Sequence, residues 1–166
     1  MVLGMSLPAF TALHVTISLI GIGSGIIVVL GMIGSLRLNI LTALFLLTTV
    51  LTSVTGFFFP FRGVTPGIIL GVLSLIAMLG AILARHAFHL AGKWRGVYVV
   101  TSVVALWFNV FVLIAQSFQK VPALHALAPK GSEPPFLIAQ VVVMLIFIVL
   151  GVLAAKKFHP APVLAA

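Results

Sequence analysis

Few side chains in this sequence could do chemistry. Histidine occurs five times, glutamate once at Glu133, and aspartate and cysteine not at all. Without a thiol there is no disulfide, thiolate metal site, iron–sulfur ligation or cysteine nucleophile. Histidine is left as the only strong ligand for a metal or a haem. His86 and His89 are three positions apart and would share one face of a helix. A membrane haem usually needs two axial histidines from different helices at matching depth. His14 belongs to the opposite end of its run, so it cannot bracket a haem with either of them. Zinc would lack its third and fourth ligands. No cofactor or metal is expected. His86 and His89 remain the alternative haem ligands, brought together only by a homodimer.

A second constellation is polar but uncharged. Ser102, Asn109 and Gln116 recur every seven residues in one apolar run. A primary amide in hydrocarbon cannot satisfy itself within its own helix, so Asn109 needs a partner on another. Asn109 lies nine residues, or about 13 Å, from the end of its run. Thr49 and Thr52 fall at comparable depth in the second run, whose Thr48, Thr52 and Thr55 share a face. His14, Gln116 and Gln140 sit nearer the same surface. His14, Thr52, Asn109, Gln116 and Gln140 thus form a candidate ligand-binding seam joining runs one, two, four and five. Interhelical glue is the plainer role for the same residues. No catalytic residue stands out: Glu133 has no partner carboxylate, and proton relays need acids within the membrane.

The elements that must position these groups follow from composition. Hydrophobic residues make up 63% of the 166-residue chain and charged residues 6%, with a mean hydropathy of +1.39. A soluble domain runs near half apolar and a quarter charged, so a soluble fold and disorder are both excluded. Five apolar runs stand out: Ala12 to Gly34, Ile40 to Pro60, Gly67 to Leu90, Val97 to Phe118 and Phe136 to Ala155. Each is long enough to cross a hydrocarbon core of about 30 Å as a helix. Unbroken stretches such as QVVVMLIFIVL (140–150) lack the alternation that a β-barrel needs. The expected fold is all-α: one integral membrane domain, a bundle of five transmembrane helices.

Short links after the first three runs force antiparallel neighbours. The fourth link holds four prolines; Pro122 suits the first turn of a short interfacial helix, and Ser132 with Glu133 suits the start of the fifth span. Small residues at Gly21, Gly25, Gly67 and Gly71 let helix backbones approach closely, within the chain or between two copies. Phe57, Phe58, Phe59 and Phe61 mark one interface, and Trp94 with Tyr98 the other.

The formal charge of +8 is scattered in connections rather than gathered on a face, so nucleic acid is not an expected partner. Topology control and contact with anionic lipid headgroups account for it better. No Lys or Arg precedes Arg37, which removes the basic start of a cleavable signal peptide and makes the first run a retained helix. With the amino terminus outside, Arg37, Arg85, Lys93, Arg95, Lys156 and Lys157 lie inside, and Arg62, Lys120 and Lys130 outside.

The stretches LTALFLLTTVLTSVTGFFFPF (41–61), FNVFVLIAQSFQKVPA (108–123) and SEPPF (132–136) resemble a group of small, uncharacterised bacterial integral membrane proteins. The resemblance covers most of the chain from the first helix onward and implies a multi-pass protein of the bacterial cytoplasmic (inner) membrane. It carries no activity, so no residue acquires a role from it. The leading functional expectation is an accessory or interaction protein of that membrane, working among lipids with a membrane-protein partner or a second copy of itself. A small-molecule carrier or channel component using the polar seam comes second, and a haem- or quinone-binding redox protein third. The charge split predicts that a reporter active only outside works when fused near Gly63 or Ala126. It should fail near Lys93 or after Lys157, and the reverse pattern would invert the topology.

Overall fold

The computed structural model describes residues 1–60, 63 and 65–160. It contains six helices and, among the described residues, no strand: α1 (Leu7–Ile33), α2 (Asn39–Gly56), α3 (Pro66–Ile82), α4 (Lys93–Lys120), α5 (Pro122–Leu127) and α6 (Pro134–Lys157). All but α5 are long and apolar enough to cross a membrane, α3 when counted with the wider turn that ends it. The protein is an all-α bundle of a multi-pass membrane type. Phe61 and Arg62, used above for the interface and the charge split, lie outside the described residues.

Local chemistry explains where the helices start. Ser6 accepts from the Ala9 amide ahead of α1 and Thr65 from the Ile68 amide ahead of α3, each with a proline in the first turn. These caps satisfy donors that a helix start leaves free, and proline is pre-set for that position. Ser6 therefore starts the first helix five residues before Ala12. Glu133 works differently. Its carboxylate accepts from the Lys130 and Ser132 amides, both at 3.0 Å, and so folds the link ahead of α6 instead of capping the helix. A little desolvation opposes its ionisation, but those N–H groups and the Lys130 charge hold its carboxyl below the ordinary range.

Two helix ends differ from the sequence expectation. The second span ends at Gly56 instead of Pro60, since Phe59 precedes a proline and is disfavoured in helical geometry. Phe59 packs instead against Phe10 and His14, at centroid distances of 5.0 and 5.1 Å. The third span leaves regular α-helix at Leu83, makes one π-helical turn to Ala87, and stops. His89 and Leu90 follow with φ of 49° and 61°, a left-handed pair in which neither residue is glycine. Burial of the Leu90 side chain offsets that strain. His89 has thus left the helix, so His86 and His89 do not share a helical face.

The helices pack in chain order, and α6 returns against α1 to close a ring; α1 also meets α4 across the middle. Every hop is antiparallel, which gives the bundle an amino face, where α1 begins, and a carboxy face, where α6 ends. Most large buried side chains, among them Val29, Met32, Phe45, Met78, Tyr98 and Leu106, lie in the carboxy half and at mid-depth, while Phe10 and Phe118 are buried toward the amino face. Tyr98 is 1% exposed, so it belongs to this core and not to an interfacial belt. Trp94 is partly exposed and stacks on Phe88 at 3.7 Å.

Gly25 is a point of close approach between α1, α2 and α4. A Cβ there would lie 2.7 Å from Leu106 and 2.8 Å from the Phe45 ring, both fully buried. Nothing lies within 4 Å of the equivalent position at Gly23. Gly25→Ala should therefore lower unfolding stability in mixed micelles by about 1–3 kcal/mol. Gly23→Ala should be neutral or stabilising by up to about 1 kcal/mol.

Candidate functional site

Serine and threonine in these helices mostly satisfy themselves. Thr11, Thr16, Ser18, Ser24, Thr48, Ser53, Thr55, Thr101 and Ser117 donate to the carbonyl one turn earlier. A hydroxyl bonded in this way needs no partner in the hydrocarbon. The informative groups are those that break the habit. Thr52, Ser74 and Ser102 have buried hydroxyls with no hydrogen bond. Asn109 donates to Thr49 Oγ1 at 3.5 Å, a long bond between α4 and α2.

His14 reaches across from α1 to α2, its Nδ1 2.8 Å from Thr55 Oγ1. That hydroxyl donates to the Leu51 carbonyl at 2.6 Å, so it must accept from His14. The imidazole therefore carries its proton on Nδ1 and keeps Nε2 as an acceptor when neutral. Phe59 stands edge-on to the ring at 82° and fixes its plane.

These groups surround a cavity of about 800 Å³ in the amino half of the bundle. Its wall is mostly apolar and is interrupted by His14, Thr52, Ser74, Asn109 and Gln116. Small side chains leave room there: Ser18, Ser53, Gly56, Gly67, Gly71 and Ser74 stand in the lining beside bulkier residues such as Phe57, Phe108 and Phe111. Lys120 is the one cation among the described lining residues, and no acid joins it.

Four of the five seam residues thus converge: His14, Thr52, Asn109 and Gln116. Gln140 does not. It lies at the right depth on α6 but is turned toward the α4 backbone, where its Nε2 donates to the Phe111 carbonyl at 3.1 Å. It fastens α6 to α4 and leaves its own Oε1 unpaired. The cavity is walled by α1, α2, α3 and α4 rather than by the first, second, fourth and fifth spans. Sequence reasoning missed α3, because its Gly67, Gly71 and Ser74 stripe reads equally well as close packing. Gly71 does pack closely, a Cβ there lying 3.1 Å from the Phe57 ring and 3.9 Å from the Ser53 carbonyl of α2, whereas a Cβ at Gly67 would meet only Thr65.

No protein-family model, curated protein or solved structure matches the chain. The site must be judged on its own chemistry. His86 and His89 are both exposed on the carboxy face, at the far end of the bundle from His14. Among the described residues, no three His, Cys, Asp or Glu side chains gather as a metal site. The cavity itself offers neutral hydrogen-bonding groups set in an apolar wall, with room for a molecule of moderate size.

Because Gln140 stands apart from the cavity, Gln140→Leu removes an unpaired oxygen together with the bond that buried it. Its unfolding stability should change by less than about 1 kcal/mol. Gln140→Glu leaves a charge in the same place and should be clearly destabilised at neutral pH, with recovery on acidification as the carboxyl protonates. Chemical unfolding at two pH values measures both.

Proposed function

We propose that this is a multi-pass protein of the bacterial cytoplasmic membrane, amino terminus outside, that holds a small amphiphilic molecule in its amino-half cavity. The ligand class is an uncharged lipophile with a hydroxyl- or carbonyl-bearing head, of the quinone or prenyl-alcohol type. The observation that carries this reading is the pairing of apolar space with unspent neutral polarity. The cavity of about 800 Å³ is lined by residues that include Thr52 and Ser74, whose hydroxyls have no partner, and Asn109, whose bond is long. A charged headgroup would need a counter-ion, and the wall supplies only Lys120 at its rim.

His14 Nε2 is suited to accept from a ligand hydroxyl, and the amides of Asn109 and Gln116 to donate to a carbonyl. The apolar wall between them suits a ring or a prenyl tail. An accessory role in the membrane fits the same site, since a held lipophile can be presented to a neighbouring protein.

The test uses decylubiquinone and farnesol as probes against the detergent-purified full chain. At least one should bind saturably, and Asn109→Leu should weaken that binding by about tenfold, the size of one or two lost hydrogen bonds. Ser74→Phe, which fills the cavity, should abolish it. Gln140→Leu should bind as the wild type does. Absence of saturable binding by either probe, or equal binding in Ser74→Phe, would overturn the proposal.

A further inference from the structure

The carboxy face carries a second polar cluster, remote from the cavity. Arg37 stands in the α1–α2 link two residues before Asn39, and Arg85 stands in the π-helical turn that ends α3, beside Tyr98 near the start of α4. The Arg85 guanidinium lies over the Tyr98 ring, 5.6 Å from its centroid. Its Nη2 donates to Asn39 Oδ1 at 2.6 Å. Arg37 Nε is buried and has no hydrogen-bond partner. The Arg85–Asn39 bond therefore brings the link that carries Arg37 up to Arg85, and the polar groups beside them, the Asn39 amide, the Tyr98 phenol and the Thr42 hydroxyl, are all neutral.

Among the described residues, no acid neutralises this pair. The sole acid, Glu133, sits on the amino face and is engaged by the Lys130 and Ser132 amides. The helix starts nearby add to the imbalance. α2 and α4 both begin on this face, and neither has a side-chain cap or an acid in its first turn. Helix starts carry partial positive charge and free N–H groups. Like charges gathered in this way repel, and a buried guanidinium N–H without an acceptor is unfavourable.

We propose that Arg37 and Arg85, with Asn39 positioning Arg85, form a binding site for a phosphate-type oxyanion on the carboxy face. The planar fork of arginine matches the oxygens of a phosphate, and two forks from different helices would clasp one anion between them. The same chemistry is offered by a phospholipid headgroup at the membrane surface and by free phosphate. Lys156, at the end of α6 on the same face, supplies general positive charge but no part of this convergence.

The test measures thermal unfolding of the full chain in phosphatidylcholine nanodiscs. In one arm inorganic phosphate is titrated; in the other, phosphatidylglycerol replaces part of the phosphatidylcholine. At least one arm should raise Tm saturably. A response to phosphatidylglycerol alone assigns a lipid headgroup, and a response to phosphate assigns a free anion. The shift should vanish in Arg37→Gln and Arg85→Gln and persist in Lys156→Gln. Arg37→Lys and Arg85→Lys keep the charge, and so serve where the glutamine variants fail to fold; each should weaken the response by about tenfold through loss of the fork. No shift in either arm, an undiminished response in both lysine variants, or an equal loss in Lys156→Gln would overturn the site.

Discussion

The missing side chain at Gly25 governs how this bundle closes. It lets α1 come close enough to α2 and α4 for Phe45 and Leu106 to meet over its backbone. From that point toward the carboxy face, Val29, Met32, Met78 and Tyr98 fill the interior. Toward the amino face the same helices carry more serine, threonine and glycine, and the bulky residues there, such as Phe57, Phe108 and Phe111, line the cavity without filling it. The bundle is dense at one end and hollow at the other because residue size changes along its length while the helix axes continue.

The two ends also handle polarity differently. In the amino half the polar groups are neutral, and many of them are silenced by bonding back to their own helix. What remains unspent, chiefly Thr52, Ser74, Asn109 and Gln116, lines the cavity. At the carboxy face cationic groups gather, and no acid faces them among the described residues. On the two proposals made above, the neutral donors in an apolar wall would receive an amphiphile and the guanidiniums an oxyanion, with the packed core between the two sites.

Depth along a helix is legible in a sequence, because each residue advances by a fixed rise. That is why Thr49 could be placed level with Asn109 from the sequence, and why the five spans emerge from hydropathy. Azimuth is less legible when a helix is apolar all round. Gln140 has the depth of the seam residues, yet α6 turns it to the α4 backbone, and no hydrophobic stripe reveals that rotation. The share of α3 in the cavity is hidden for a related reason, since glycine and serine look the same whether they admit a helix or leave a void. His86 and His89 illustrate a third gap. Their spacing implies a common face only while the helix persists, and the π-helical turn ends it between them.

The last residues of the described chain bear on the order in which the protein is assembled. α6 packs only on α1 and α4, and beyond it Phe158 lies against the Tyr98 ring while the His159 amide donates to Ser35 Oγ at 2.9 Å. α1 through α4 emerge from the ribosome first and can gather around Gly25 by themselves. Tyr98 then stays uncovered on one side until α6 has been threaded and Phe158 arrives. The seat for that aromatic ring is built by segments made some sixty to more than a hundred residues earlier. During synthesis the cavity can therefore close while one side of Tyr98 still waits for Phe158.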